Sequence, residues 1–349
     1  MKIALLTLSF PPQIGGVQAY LYETGRRIGE QHQVFVLTPV AGKIETTAVH
    51  KIILANGTAP AFLQSLHQIK PDIIIVGHAH PQLLLAAALY PHTAYACITY
   101  GNDFLAAQTH WHRPIFNRLL KRANPLITIS QGTAYYLQEI GITNAITIPP
   151  GTDPARFTPR EKPILKPVLL TISRLIPRKG IDTIIGLLPE LRKSFPNIRY
   201  LIGGTGADQA RLTKLAETLK VTKHVQFLGK IPDEQLPDIY RRSAVFVMLS
   251  REEQKRTSVE GFGIVYLEAS ASGVPIVAAN SGGVADAVRH GETGLLVQPD
   301  DQEAAQNALH TLLSNPDLRT QLGQNGRQWV ETEMNWMQTS RKLQEVLGL

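Results

Sequence analysis

The sequence predicts an α/β protein of two doubly wound domains, each a parallel sheet with helices on both faces. Three observations carry this expectation. Short apolar runs recur along the 349 residues with helical patterns between them, and strands that are apolar throughout belong to sheets buried on both faces. The alternation stops at a proline-rich stretch and then restarts. The length also suits two domains of roughly 100–200 residues each.

In the first half, strands are expected at 2–8, 33–37, 52–54, 72–76, 94–99, 126–129 and 145–148, with helices such as 18–30 and 114–123 between them. Six prolines between Pro149 and Pro167 read as an extended connector. Strands then follow at 168–173, 200–203, 225–228, 245–249, 275–278 and 294–297, alternating with helices at 182–194, 207–219, 232–241 and 264–271. The domains are drawn at 1–160 and 161–330, with a last amphipathic helix from Asn335 expected to pack back on the first domain. In such folds ligands bind at the carboxyl ends of the strands, so two facing domains would share a cleft.

Composition narrows the function. Apolar residues make up 44% of the chain, which excludes a disordered or fibrous protein. The single thiol, Cys97, excludes an internal disulfide and a Cys-rich zinc site. No apolar stretch approaches bilayer length, and the run after Lys2 leads into Pro11, Pro12, Gly15 and Gly16 rather than a cleavage site. The chain therefore reads as soluble, unprocessed and cytoplasmic. Residues 1–160 hold 12 Lys and Arg against 7 Asp and Glu, whereas residues 161–349 hold 23 against 21. The basic first half, with the cluster Arg113, Arg118, Lys121 and Arg122, suits an anionic membrane face. Nucleic acid is not expected, since no RNA-binding aromatic signature or zinc-finger spacing occurs. The pairs His78/His80 and His110/His112 raise a metal site, but no nearby carboxylate completes a ligand set, and none is expected.

Four motifs carry chemistry. Phe10 to Tyr20 places Gly15 and Gly16 between a strand and a helix, where backbone can approach an anion. Ser173 to Asp182 carries Arg174 and Lys179 on a strand-to-helix loop, a pair of cations suited to a departing diphosphate. Ile202 to Gly206 reads as a tight turn, with Gly204 counted among the donor-binding residues. The strongest is Glu260-Gly261-Phe262-Gly263-Ile264 running on to Glu268, two carboxylates around a glycine-flanked helix start. Its amides face an anion or sugar hydroxyl, and Glu268 is placed to accept from a ribose.

Together these motifs resemble the retaining glycosyltransferases of the two-Rossmann (GT-B) architecture, the glycogen-synthase-like group 1 class. The resemblance runs over essentially the whole chain: "PPQIGGVQAY", "ITIPPGTDPARFTP", "TISRLIPRKGID", "VQFLGKIPDEQLPDIY", "VEGFGIVYLEASASGVPIVAANSGGVADAV" and "GETGLLVQPDD". "RLIPRKGID" and "VEGFGIVYLEA" look most like bacterial phosphatidylinositol-mannoside mannosyltransferases.

The resemblance implies roles. Arg174 and Lys179 would bind the donor diphosphate and stabilise the leaving group. Glu268 would hold the ribose, and Glu260 with the amides of Gly261 to Gly263 the donor sugar. Gly16 would approach the distal phosphate, Lys230 and Ile231 would meet the base, and Ser281 and Gly282 would border the site. One position departs from the family: Tyr100 stands where many relatives have histidine. Either Tyr100 or His80 would take over its contact with the sugar, and Asp103 fits the acidic position nearby. The implied reaction moves a hexose, with mannose from GDP-mannose the first choice, to a hydroxyl acceptor such as a lipid or glycan, without a cofactor or metal. A UDP-sugar donor is the alternative. A phosphorylase-like enzyme, an epimerase-like fold cousin and a non-catalytic nucleotide-binding protein are the rival readings. A homo-oligomer is left open.

Overall fold

A computed structural model describes residues 1–41, 51–161, 164, 166–252 and 258–349. The chain forms two compact units, Met1–Gly151 with Lys255–Gly261 and Trp336–Leu349, and Thr152–Gln254 with Phe262–Asn335.

The first unit holds strands β1 (Lys2–Leu6), β2 (Gln33–Thr38), β3 (Lys51–Leu54), β4 (Ile73–Val76), β5 (Tyr95–Thr99), β6 (Leu126–Thr128) and β7 (Ile146–Thr147). They form one sheet in the order β3-β2-β1-β4-β5-β6-β7, all pairs parallel. Its helices are α1 (Gly16–Gly29), α2 (Ala59–Ile69), α3 (Pro81–Leu89), α4 (Asn102–Ala107), α5 (Arg113–Lys121) and α6 (Gln131–Glu139). Helix α1 buries Tyr20, Leu21, Thr24, Gly25 and Ile28, the stripe a 3.6-residue period puts on one face. The chain's last helix, Trp336–Leu347, lies against α1 in this unit, with Trp336 edge-on to Tyr20 at 6.2 Å. The loops after β4 and β5 are tied by Asp103, whose two carboxylate oxygens accept the Ala79 N–H at 2.9 Å and the Tyr100 N–H at 3.0 Å. Burial pushes that carboxyl up from 3.8 to about 6, although backbone amides pull the other way.

The second unit holds β8 (Val168–Ile172), β9 (Arg199–Gly203), β10 (Val225–Gly229), β11 (Val245–Met248), β12 (Ile276–Ala279) and β13 (Gly294–Val297). Their order is β10-β9-β8-β11-β12-β13, again all parallel. Its helices are α7 (Ile181–Ser194), α8 (Gln209–Thr218), α9 (Leu236–Arg241), α10 (Ile264–Ala271), α11 (Gln302–Ser314) and α12 (Pro316–Thr332), and the helix at Trp336–Leu347 is α13.

Backbone-to-backbone contact assembles the carboxyl end of this second sheet. The Ser173 N–H donates to Gly203 O at 3.0 Å, Leu175 N–H to Thr205 O at 3.0 Å, and Arg251 N–H to Arg178 O at 2.9 Å. The loops run so close that a side chain has no room. A Cβ on Gly204 would lie 1.9 Å from Ser173 O, one on Gly206 2.2 Å from Leu175 O, and one on Gly180 2.0 Å from Leu249 O.

The thirteen expected strands all form, with ends moved by a residue or two. The stretch expected as one helix over 232–241 is a 3₁₀ turn, Asp233–Gln235, followed by α9, because Pro237 suits only a helix's first turn. Part of the expected proline connector, residues 162, 163 and 165, lies outside the described residues. The stretch before it is anchored rather than extended: Phe157 is buried, edge-on to Tyr240 at 5.7 Å.

Two outcomes follow from this packing. Gly180 and Gly229 share a φ of +67°, but only Gly180 faces backbone at overlap distance. Gly229→Ala should therefore cost about 1–2 kcal/mol of unfolding free energy, and Gly180→Ala clearly more, about 3 kcal/mol or above. Equal losses in urea denaturation would contradict the contact. Asp103 favours its protonated form in the fold, so its contribution falls as pH rises from 3.8 through about 6 and is lowest above that. The stability of Asp103→Asn relative to the parent chain should rise over that window; parallel pH profiles would refute the raised carboxyl.

Candidate functional site

In the second unit the strand order reverses beside β8, and Arg174 and Lys179 leave the carboxyl end of that strand. Such a reversal point is where open α/β sheets bind ligands. Arg174 is exposed, whereas Lys179 closes the 3₁₀ turn Pro177–Lys179 and is buried. The loop is braced from below by the Gly203–Gly206 turn and from the side by Arg251. The Arg251 guanidinium donates to Pro177 O at 2.9 Å and to both Asp182 oxygens at 2.8 and 2.7 Å. Burial raises the Asp182 carboxyl, but Arg251 and Arg211 outweigh it and hold the group below its ordinary value.

The next loop carries Lys230, exposed, and Ile231, whose side chain rests where a Cβ on Gly203 would stand, 2.4 Å from its Cδ1. The Gly204 N–H donates to Gly229 O at 2.8 Å and ties this loop to the glycine turn. Gly204 therefore joins three loops, those after β8, β9 and β10.

Helix α10 starts at Ile264 behind Gly263, whose φ of +89° lets the chain turn sharply into the helix, and Phe262 is buried just before it. Glu268 sits in the second turn. Its Oε2 accepts the Tyr240 hydroxyl at 2.6 Å. Burial raises the Glu268 carboxyl above its ordinary value, with the Tyr240 bond and the Arg156 charge opposing. Arg156 is placed by its bond to Asp233 O at 2.6 Å and by the Phe157 ring beneath it. After β12, Gly282 has a φ of +58°, and the buried Ser281 hydroxyl makes no hydrogen bond.

The remaining candidates belong to the first unit. Gly16 opens α1 after the extended Gly15. His80 caps α3, its Nδ1 accepting the Gln82 N–H at 3.3 Å, and burial with the nearby His112 lowers its pKa. Burial, helped by His80, lowers His78 to about 4. Tyr100 is buried edge-on to Tyr20, 5.9 Å between ring centres, and its hydroxyl makes no hydrogen bond. The Glu260 segment docks alongside. The Val259 N–H donates to Asn102 Oδ1 at 2.7 Å, Gly261 O accepts the Thr133 hydroxyl at 3.3 Å, and a Cβ on Gly261 would lie 2.3 Å from Tyr100 O. Glu260 itself is buried.

The candidates thus fall into two groups. Arg174, Lys179, Gly204, Lys230 and Ile231 sit on adjoining strand-end loops of one unit, with Glu268 on α10 of the same unit. Tyr100, Asp103, Glu260 and Gly261 cluster in the other, with Ala79, the neighbour of His80, bonded to Asp103. The unit boundary runs between Gly261 and Phe262, so the two carboxylates of the strongest motif belong to different units. Sequence reasoning missed Tyr240, Asn102 and Arg251. Tyr240 lies 28 residues from Glu268 and reads as an ordinary core aromatic, so no local spacing announces the pair. Among the described residues, no group of three or more His, Cys, Asp or Glu gathers to hold a metal ion.

Comparison with known proteins fits this arrangement. Residues 156–329 match Glycosyl transferases group 1, and residues 14–156 match Glycosyltransferase Family 4. The chain is 31% identical to the GDP-mannose-dependent alpha-(1-6)-phosphatidylinositol monomannoside mannosyltransferase of Mycobacterium tuberculosis, covering 99% of this chain and 98% of the relative. It is 33% identical to the protein of the same name from Mycolicibacterium smegmatis, at 99% and 97% coverage. Among solved structures, sucrose-phosphate synthase from Thermosynechococcus elongatus superposes with a TM-score of 0.83 at 22% identity, covering 99% and 98% of the chains. HepE of Anabaena, solved with UDP and glucose, gives 0.81 at 20% identity, covering 100% and 99%. The fold is the two-domain GT-B architecture of those structures, and the chain belongs to the group 1 glycosyltransferases, enzymes that move a sugar from a nucleotide donor.

Proposed function

We propose that the protein transfers mannose from GDP-mannose, with retention at the anomeric carbon, to a hydroxyl of a glycolipid acceptor. The observation that carries the reading is the end-to-end likeness, at 31–33% identity, to mannosyltransferases named for that donor and for a phosphatidylinositol mannoside acceptor. The braced loop after β8 supplies the chemistry. Two cations at the carboxyl end of a strand, beside the N-terminus of α7, suit the negative charge that grows on a diphosphate as the sugar leaves. Bracing by Arg251 and the glycine turn means these groups need little reorganisation as charge develops.

Glu268, held by Tyr240, is suited to accept from the ribose hydroxyls. Ile231 and Lys230 border the base, with Gly263 and the start of α10 near the donor. In the first unit Gly16 would approach the distal phosphate, Glu260 the donor sugar, and Tyr100 or His80 the sugar or acceptor. Asp103 spends both its oxygens on backbone amides, so its part is to shape the Tyr100 loop. No metal takes part in this reading. A lipid acceptor would bring the enzyme to the cytoplasmic membrane face from the aqueous side, and among the described residues no helix is long and apolar enough to cross a membrane.

Release of nucleotide from GDP-mannose, UDP-glucose and UDP-N-acetylglucosamine, measured side by side, should favour GDP-mannose by at least about tenfold in kcat/KM. A preference for either UDP-sugar would overturn the donor assignment. Arg174 is exposed, so Arg174→Ala should leave the melting temperature unchanged while lowering kcat roughly 10²–10³-fold, about 3–4 kcal/mol of barrier. Near-parental turnover in that variant would remove Arg174 from the chemistry.

A further inference from the structure

The candidate donor loops occupy the carboxyl ends of the second sheet. A separate cavity of about 460 Å³ opens at the opposite, amino ends of that sheet, with all its lining residues in the second unit. Ala244 and Pro275, the residues just before β11 and β12, line it, together with the end of α10 and one face of α12. The two helices meet there on bare backbone. A Cβ on Gly323 would lie 2.2 Å from Gly273 O, and one on Gly326 3.1 Å from Ser270 Oγ. The volume falls within the range of small-molecule sites.

Four arginines and two glutamates line the cavity, an excess of two positive charges. Two of the arginines are engaged with acidic partners. Arg327 donates to Glu331 Oε1 at 2.7 Å and to Ala271 O at 2.8 Å, and Arg241 pairs with Asp238. Among the described residues, Arg160 and Arg319 have no carboxylate within ion-pair distance. Arg160 is exposed and donates to Arg241 O at 2.9 Å. Arg319 is only 7% exposed, and its guanidinium donates to main-chain oxygens: Leu312 O at 2.6 Å, Leu313 O at 2.9 Å and Ile164 O at 3.1 Å. Carbonyls satisfy its N–H groups but leave its net charge uncompensated, and a buried charge without a counter-ion is unfavourable. Burial accordingly lowers the Arg319 pKa, with no acidic neighbour opposing it. Ser272 also lines the cavity, is 3% exposed, and its hydroxyl makes no hydrogen bond.

A phosphate group brings what this cavity lacks: nearly two negative charges and three strong acceptor oxygens. The remaining wall suits the organic part of a small ester. Val274 and Pro275 offer apolar surface, while Thr320, Gln324 and Gln328, at steps of four along α12, offer a hydroxyl and two amides.

We propose that the cavity is a second ligand site that takes a small sugar phosphate, its phosphate held by Arg160 and Arg319 and its hydroxyls by the polar face of α12. The site shares no residue with the donor loops, so it stands whichever nucleotide those loops accept.

Calorimetric titration of the full chain with ribose 5-phosphate, in the presence of saturating GDP, tests the site. Binding with one site per chain is expected, and neutral ribose should not bind. Hydrogen–deuterium exchange should show new protection in residues 241–244, 270–275 and 319–328. Arg160→Gln removes a charge-assisted contact and should weaken binding about tenfold. Gln324→Glu adds a repelling carboxylate and should weaken it roughly fivefold. Both variants should keep the parental circular dichroism and the parental rate of nucleotide release from GDP-mannose. Affinity weaker than about 1 mM overturns the site, as does equal binding of ribose or parental binding by both folded variants. Protection confined to the loops after β8, β9 and β10 overturns it too, because the phosphate would then sit in the donor loops. If GDP itself does not bind, the donor reading fails, and the exchange map with ribose 5-phosphate still decides the cavity.

Discussion

The constraint on which the rest of the candidate donor site depends is close packing of bare backbone at the carboxyl end of the second sheet. Three loops meet there with carbonyl oxygens about 2 Å from where a Cβ would sit on Gly180, Gly204 and Gly206. Only glycine allows that approach. Because it does, the loop after β8 can be held on two sides by main-chain hydrogen bonds, and Arg174 and Lys179 project from a fixed base. A preorganised cation is useful to a departing diphosphate because the enzyme need not rearrange as charge develops. The glycines serve electrostatics through geometry.

The first unit follows a similar logic with different means. There the loops after β4 and β5 are joined by a side chain, Asp103, and the Glu260 segment is seated on the Tyr100–Asn102 turn by Asn102, Thr133 and the bare Gly261. Tyr100 is left with its hydroxyl buried and unbonded. Leaving a buried phenol unsatisfied costs stability, a cost this unit also carries at His32, His112 and Thr128.

Much of this was legible in the sequence. Apolar runs such as Ile73–Val76 and Val245–Met248 announce parallel strands directly, and Gly-Gly-Thr-Gly after a strand announces a tight turn. What that turn braces was not legible, because its partners, Ser173 and Leu175, come from a strand end some thirty residues earlier. The same holds for Tyr240 and Glu268: the hydrogen bond depends on α9 packing against α10, which no local period encodes. The division of the Glu260–Glu268 run between two units was hidden as well. A continuous motif reads as one element, and only packing reveals that Val259–Gly261 adheres to the first unit while α10 belongs to the second.

The central claim is that the strand-end loops of the second unit grip a nucleoside diphosphate. Hydrogen–deuterium exchange with and without GDP tests it most directly. The account predicts new protection of backbone amides in the loops after β8, β9 and β10 and at the start of α10. Protection that appears elsewhere while these loops exchange as in the free protein would contradict it.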